Sequence, residues 1–435
     1  MTTHEQKSFK AFLVIWGGQV VSLLGSSLVG FALVWYLTEQ TGSAVVLALA
    51  TGISMLPQIV FGPFVGALVD RWNRRIIMIT ADSVSALATL VVALLYAFGS
   101  IQVWHIYVLM FIRSVAGAFH WPAMQATTPL MVPEKHLARV SGLNQSLWGL
   151  AGIIAPPIGA LLLEILPMEG IVGIEVITAL FAIAPLFFIA VPNPARAVTP
   201  AGTGNSAQSV WGDVRQGLRL VVRWPGLMFV FVVAMFLNLL TVPAFSLIPI
   251  MITKTFNGGA VELGWTQAAW GAGMLIGGVL MGVWGGFKRR MVTAVFGMIL
   301  SGVGMMVVGF APPTTLAVVM GGLLLAGSMN TVINASAFAA LQATAPADMQ
   351  GRIFTLLMSG STLIAPLGLA IAGPLAEVWG VQVWFTAGGV LTLVIGLVSF
   401  FLPFAIRFEE EGARVIAKLA ETQENEGLIP EAVKA

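Results

Sequence analysis

Three ionisable side chains, Asp82, Arg113 and Glu175, lie inside stretches made otherwise of apolar residues. A charge in such surroundings is costly, so a chain keeps one there where it is paired or where it works. A buried carboxylate suits proton uptake and release, because burial disfavours its charged form. Asp82 stands about seven residues into its apolar stretch, roughly 10 Å deep at a helical rise of 1.5 Å per residue. Arg113 falls near the middle of the next stretch, set to modulate Asp82 or to pair with it, although their depths differ. Glu175 comes early in a later stretch and reads first as a carboxylate at its watery margin, second as an alternative proton carrier. Gln19, Gln58, Asn144, Asn238, Asn330 and Asn334, with the adaptable Met55 and Phe245, are candidates to line a cavity between helices. His120 reads as a hydrogen-bonded interior residue. There is no Gly-x-x-x-x-Gly-Lys-Ser/Thr phosphate loop, no Cys and no His cluster fit for a metal. Neither an enzyme nor a cofactor is expected.

The elements that must hold these groups follow from composition. Hydrophobic residues make up 58% of the 435 and charged residues 9%, against about 25% charged in a soluble domain. Such a chain lacks the polar surface to face water and fits a bilayer. Its net charge of +2 gives no reason to expect nucleic acid. At about 20 apolar residues per span, twelve spans fit: 11–38, 44–69, 76–98, 103–126, 140–166, 170–191, 227–253, 261–285, 291–311, 314–342, 353–378 and 382–405. The first is too long for a signal-peptide core and lacks a small-residue cleavage site. With a cytosolic N-terminus, every Lys and Arg except Arg113 and Lys254 falls on the cytosolic side, as the positive-inside rule requires. Both termini are therefore expected in the cytosol.

The chain repeats itself. Pro133-Glu-Lys-His-Leu-Ala-Arg139 precedes the fifth span and Pro346-Ala-Asp-Met-Gln-Gly-Arg352 the eleventh, and each span carries Ile-Ala-Pro, at Pro156 and Pro366. The basic pair Arg74-Arg75 after span two is echoed by Arg289-Arg290 after span eight. This divides the chain into a six-helix half at 1–191, a cytosolic linker at 192–226, a second half at 227–405 and a cytosolic tail at 406–435. Within the linker, Arg215, Arg219 and Arg223 recur opposite Val210, Trp211, Val214, Leu218 and Val221, which predicts an amphipathic helix on the anionic inner surface.

The loop Gly66-Ala-Leu-Val-Asp70-Arg71-Trp72-Asn73-Arg74-Arg75 resembles the signature Gly-x-x-x-Asp-Arg-x-Gly-Arg-Arg of the major facilitator superfamily. The resemblance implies a conformational latch of Gly66, Asp70, Arg71, Arg74 and Arg75. Asn73 replaces a Gly but tolerates left-handed backbone angles, and the counterpart at Gly282–Arg290 has no Asp. In span five, Gly152, Pro156 and Gly159 are similar to a relaxed antiporter signature, where small residues and Pro favour close packing and a bend. Residues 15–50, Phe111–Pro122, Thr128–Glu134, Phe256–Gly258 and Gly351–Phe354 resemble macrolide-efflux proteins. The implied fold is all-α, twelve transmembrane helices in two pseudo-symmetric halves of the major facilitator type, with a central site. The implied function is proton-coupled efflux of hydrophobic or amphiphilic compounds across the cytoplasmic membrane by a monomer. Export of a siderophore or other endogenous amphiphile is the alternative.

Overall fold

Local signals start and stop the helices. Ser43 opens one by accepting the Val46 N–H at 3.3 Å, just after Gly42 turns the chain at φ +56°. Gly259 begins another by donating its N–H to Glu262 Oε2 at 2.7 Å. The computed structural model describes residues 3–192, 221–345 and 347–415. Their helices are α1 (Thr3–Thr41), α2 (Ala44–Arg71), α3 (Arg74–Ala97), α4 (Val103–Met131), α5 (Glu134–Ile165), α6 (Met168–Phe188) and α7 (Pro225–Ser246). They continue as α8 (Ile248–Phe256), α9 (Ala260–Trp284), α10 (Arg290–Gly309), α11 (Leu316–Thr344), α12 (Ala347–Trp379), α13 (Val381–Phe400) and α14 (Pro403–Ile406). Twelve of them, all but α8 and α14, are long and apolar enough to cross a membrane. Large apolar side chains such as Leu87, Phe181, Val279 and Leu367 point outward, as a lipid-facing surface requires. The linker helix expected at 209–224 lies almost wholly outside the described residues.

The turn after α2 keeps its shape for a different reason from the one its residue types suggest. Asn73 is not left-handed: at φ −72° and ψ 112° it caps α3, its side chain accepting from Arg75 N at 3.0 Å and Ile76 N at 3.4 Å. Asn is among the best N-cap residues, so the substitution for Gly adds a cap to the turn.

Within the first half, α1 packs on α5 and α6, α3 on α4 and α6, and α2 on α4; the second half pairs α10 with α11 and α13, α9 with α11, and α7 with α12. The halves meet along two seams, α5 with α9 and α2 with α12. At the face away from the chain ends one apolar core spans both halves, joining Leu33, Leu37 and Leu47 to Leu247, Met251 and Ala372. At the face where α1 begins and α13 ends there are two separate cores, one around Phe12, Met78 and Leu186 and one around Trp224, Leu341 and Phe408. Among the described residues the halves share one core on the first, closed face and have separate cores on the second, parted face.

Candidate functional site

In the first half, α1, α3 and α4, with Ser54 of α2 and Asn144 and Leu147 of α5, surround a cavity of about 420 Å³. The intramembrane charges collect at its wall in two groups. Glu175 is 2% exposed, with Oε2 3.1 Å from Arg113 Nη1. Its Oε1 accepts from Ser26 Oγ at 3.0 Å and Ser85 Oγ at 3.3 Å, and its Oε2 from Thr89 Oγ1 at 3.2 Å. Arg113 Nη2 donates further to the Ser26 carbonyl at 2.8 Å. Glu175 is therefore not the watery-margin carboxylate that its place early in the span suggested, and Arg113 pairs with it rather than with Asp82. The cause is the packing of α6 against α1 and α3, which carries Glu175 into the seam opposite hydroxyls spaced one turn apart on α3. Those hydroxyls, Ser85 and Thr89, are an i, i+4 pair that sequence inspection passed over.

Asp82 has a sparser setting. Its Oδ2 accepts from Gln19 Nε2 at 3.1 Å, and its Oδ1 lies 3.4 Å from His120 Nε2. That ring nitrogen is buried and makes no hydrogen bond among the described residues. Asp82 and His120 both line the cavity, with side chains 12% and 18% exposed. Opposite them Trp16 Nε1 donates to Asn144 Oδ1 at 2.7 Å, tying α1 to α5.

The other expected lining residues divide. Gln19 and Asn144 line this cavity. Met55 follows Ser54 on α2, and Gln58 is exposed one turn on. Phe245 lies against the shared core, edge-on to Trp270 with ring centroids 4.7 Å apart. Asn238 of α7 donates to the Ala234 carbonyl at 3.0 Å, and Asn334 of α11 to the Asn330 carbonyl at 2.8 Å. These three amides stand on second-half helices and bond within their own helix.

In the loop after α2, the side chains of Gly66 and Asp70 lie outside the described residues. Arg71 is exposed, Arg74 Nη1 donates to the Ala126 carbonyl at 2.8 Å, and Arg75 donates to the carbonyls of Leu186 and Phe187. These arginines close the ends of α4 and α6 within their own half. The counterpart loop draws its acids from beyond the last span: Arg289 binds Glu410 at 3.1 Å and Arg290 binds Glu409 at 2.8 Å, while Phe408 stacks on Trp224. On the seam, a side-chain carbon at Gly264 would meet the Pro156 carbonyl at 2.9 Å, and one at Gly271 would meet Ile153 at 2.6 Å. Phe31 of α1 fills the space over Gly159. Of the bend residues of α5, Gly152 and Pro156 thus lie where the halves touch, and Gly159 faces α1 within its own half. On the closed face Glu377 of α12 accepts from Ser43 Oγ and, at 3.3 Å, from Val45 N, with Lys254 close enough to attract it.

The sequence matches the Major Facilitator Superfamily over residues 15–254 and again over 239–429. The chain belongs to that superfamily. Within it the chain falls in a macrolide-efflux-like branch. It is 32% identical to Macrolide efflux protein A of Streptococcus pyogenes over 391 residues, 89% of this chain and 94% of that one. It is 28% identical to Multidrug efflux pump Tap of Mycolicibacterium fortuitum, over 87% of this chain and 92% of the other. Among solved structures, a bacterial homolog of the human lysosomal transporter Spinster, inward-facing and unoccupied, superposes with a TM-score of 0.66 at 14% identity, covering 96% of this chain and 98% of that one. This last likeness concerns the fold.

Proposed function

We propose that this protein exports hydrophobic or amphiphilic compounds, macrolides among them, across the cytoplasmic membrane by alternating access, in exchange for protons. The observation that carries the proposal is the acid-bearing cavity in a bundle closed on one face and parted on the other. The distribution of Lys and Arg supports a cytosolic parted face with both termini on it. Export of drugs is what the names of the S. pyogenes and M. fortuitum relatives describe, and it is carried here from them. The monomer works as two units, 1–191 and 227–405, rocking about the α5–α9 and α2–α12 seams, with 192–226 linking them and 406–435 as a cytosolic tail.

Asp82 is the proton-exchanging group in this reading. It faces the cavity and receives one neutral amide bond, whereas Glu175 is saturated with donors. Asp70, with the arginines of its loop, acts as a latch that holds one state of the cycle. The test is flux in proteoliposomes with an imposed pH gradient, using a macrolide, a dye and a siderophore. Wild-type protein should move the macrolide or the dye uphill. Asp82→Asn should abolish uphill movement while sparing substrate exchange without a gradient. Unchanged gradient-driven export by Asp82→Asn would remove Asp82 from the mechanism, and transport of the siderophore alone would replace the substrate class.

A further inference from the structure

Among the described side chains, every acid at the helix ends of the parted face belongs to one short segment beyond the last span, Glu409-Glu410-Glu411. Cations stand exposed at that face on both halves, such as Arg71, Lys135 and Arg139 on the first and Arg223, Lys288 and Arg407 on the second. The α5–α9 seam brings two of these sets into line. Its helices run antiparallel, with Gly264 against Pro156, Gly271 against Ile153 and Leu275 against Gly149. The same register carries the end of α9 and the run Lys288-Arg289-Arg290 opposite the first turns of α5, which hold Lys135 and Arg139. Like charges across a gap resist its closing.

The acids are built into place on that run. Residues 408–415 are helical. Phe408 and Trp224 are fully buried and stack with ring centroids 4.5 Å apart. A side-chain carbon at Gly412 would overlap Trp224 and Thr344, and one at Gly226 would meet Phe408 at 2.9 Å. So seated, the segment sets Glu410 3.1 Å from Arg289 and Glu409 2.8 Å from Arg290. All four side chains are partly exposed, and such pairs add little to stability. What they change is the charge of the loop, three acids set against three bases.

We propose that the terminal segment is a charge strap: it holds Glu409, Glu410 and Glu411 on the α9–α10 loop, offsets the loop's cations and so lets the parted face close against the basic start of α5. The strap's part in a transport cycle rests on the alternating-access reading above; the strap itself is a matter of charge and distance. The first half carries an acid, Asp70, within its own basic loop, whereas Gly282–Arg290 has none and takes its acids from beyond the last span. Because these charges face one another through water, their effect fades with salt, over a screening length of about 10 Å at 0.1 M and about 3 Å at 1 M.

The chain has no Cys, so a pair of spin labels is readily placed at Leu130→Cys of α4 and Val283→Cys of α9, both exposed toward the parted face. The full chain is measured in phosphatidylcholine nanodiscs. At about 20 mM salt, E409Q/E410Q should raise the ratio of long to short distances by about threefold or more. At about 1 M salt the variant should match wild type, a convergence that an unfolded protein could not show. Adding R289Q/R290Q, which removes the bases that the acids offset, should restore the wild-type ratio at low salt. A strap that acted by grip alone would gain nothing from that change. An unchanged ratio in E409Q/E410Q, a shift that 1 M salt leaves in place, or no restoration by R289Q/R290Q would overturn the proposal. Flux in the proteoliposome assay separates the strap from the reading it rests on. Ratios that respond as expected in a protein that moves neither macrolide nor dye defeat the efflux reading alone, and gradient-driven export with a ratio indifferent to the strap defeats the strap alone.

Discussion

Glu175 receives bonds from a guanidinium and three hydroxyls, while Asp82 receives one from an amide. Charge-assisted bonds of the first kind are stronger than neutral ones, and removing one partner of a buried ion pair costs about 3–5 kcal/mol. Glu175→Gln is therefore expected to destabilise the protein by about 3 kcal/mol or more, whereas Asp82→Asn, next to a neutral amide, changes stability little. Thermal unfolding of the purified variants checks this, and equal midpoints would show that Glu175 and Arg113 do not brace the bundle. The sequence makes these residues conspicuous because a charge in an apolar stretch stands out. It does not reveal their pairing. Neighbouring helical residues point about a quarter-turn apart, so a small uncertainty in rotation exchanges one partner for another. That is why Arg113 reads in the sequence as a modulator or partner of Asp82, and why a glutamate buried by its neighbours reads as one in water.

Two contacts between helices set which face is open. On the closed face, Glu377 of α12 reaches the first turn of α2, where unpaired backbone N–H groups favour a carboxylate. Because the site is exposed, Glu377→Gln should weaken closure only a few-fold, by about 0.3–1 kcal/mol. Spin labels at Gln40 and Val378 should then show a larger fraction of long distances, and an unchanged distance distribution would rule out a clamp. Along the α5–α9 seam, Gly271 leaves no room for a side chain beside Ile153. Gly271→Val should wedge the seam at about 1–3 kcal/mol and slow substrate flux while leaving substrate binding intact; wild-type flux would mean that the seam does not move. The seam was partly legible, since Gly152, Pro156 and Gly159 stand out as small and bend-prone. Their partners on α9 did not, because a glycine in a membrane helix carries no sign of what approaches it. Lys254 stood out as a basic residue on the wrong side, and Glu377 supplies the reason.

At the scale of the molecule, the twelve spans and their two-fold repeat follow from hydropathy, the Lys and Arg distribution and the echoed loops, because a bilayer forces each helix to announce its own length. The parting of one face does not follow from the sequence, since it depends on how two similar halves lean together. The repeat is also uneven in chemistry: the second half closes its basic loop with Glu409 and Glu410 from the terminal segment, and the amides of its spans bond within their own helices. Asp82, which faces the first-half cavity with an amide as its hydrogen-bond donor, has a consequence for energetics. In the proposed exchange of one proton for an uncharged amphiphile, each cycle carries one charge inward. Membrane voltage, worth about 2.3 kcal/mol per charge per 100 mV, then adds to the pH gradient. Valinomycin, which collapses the potential, and nigericin, which collapses the pH gradient, should each slow export of an uncharged substrate; an effect of nigericin alone would count against that charge balance.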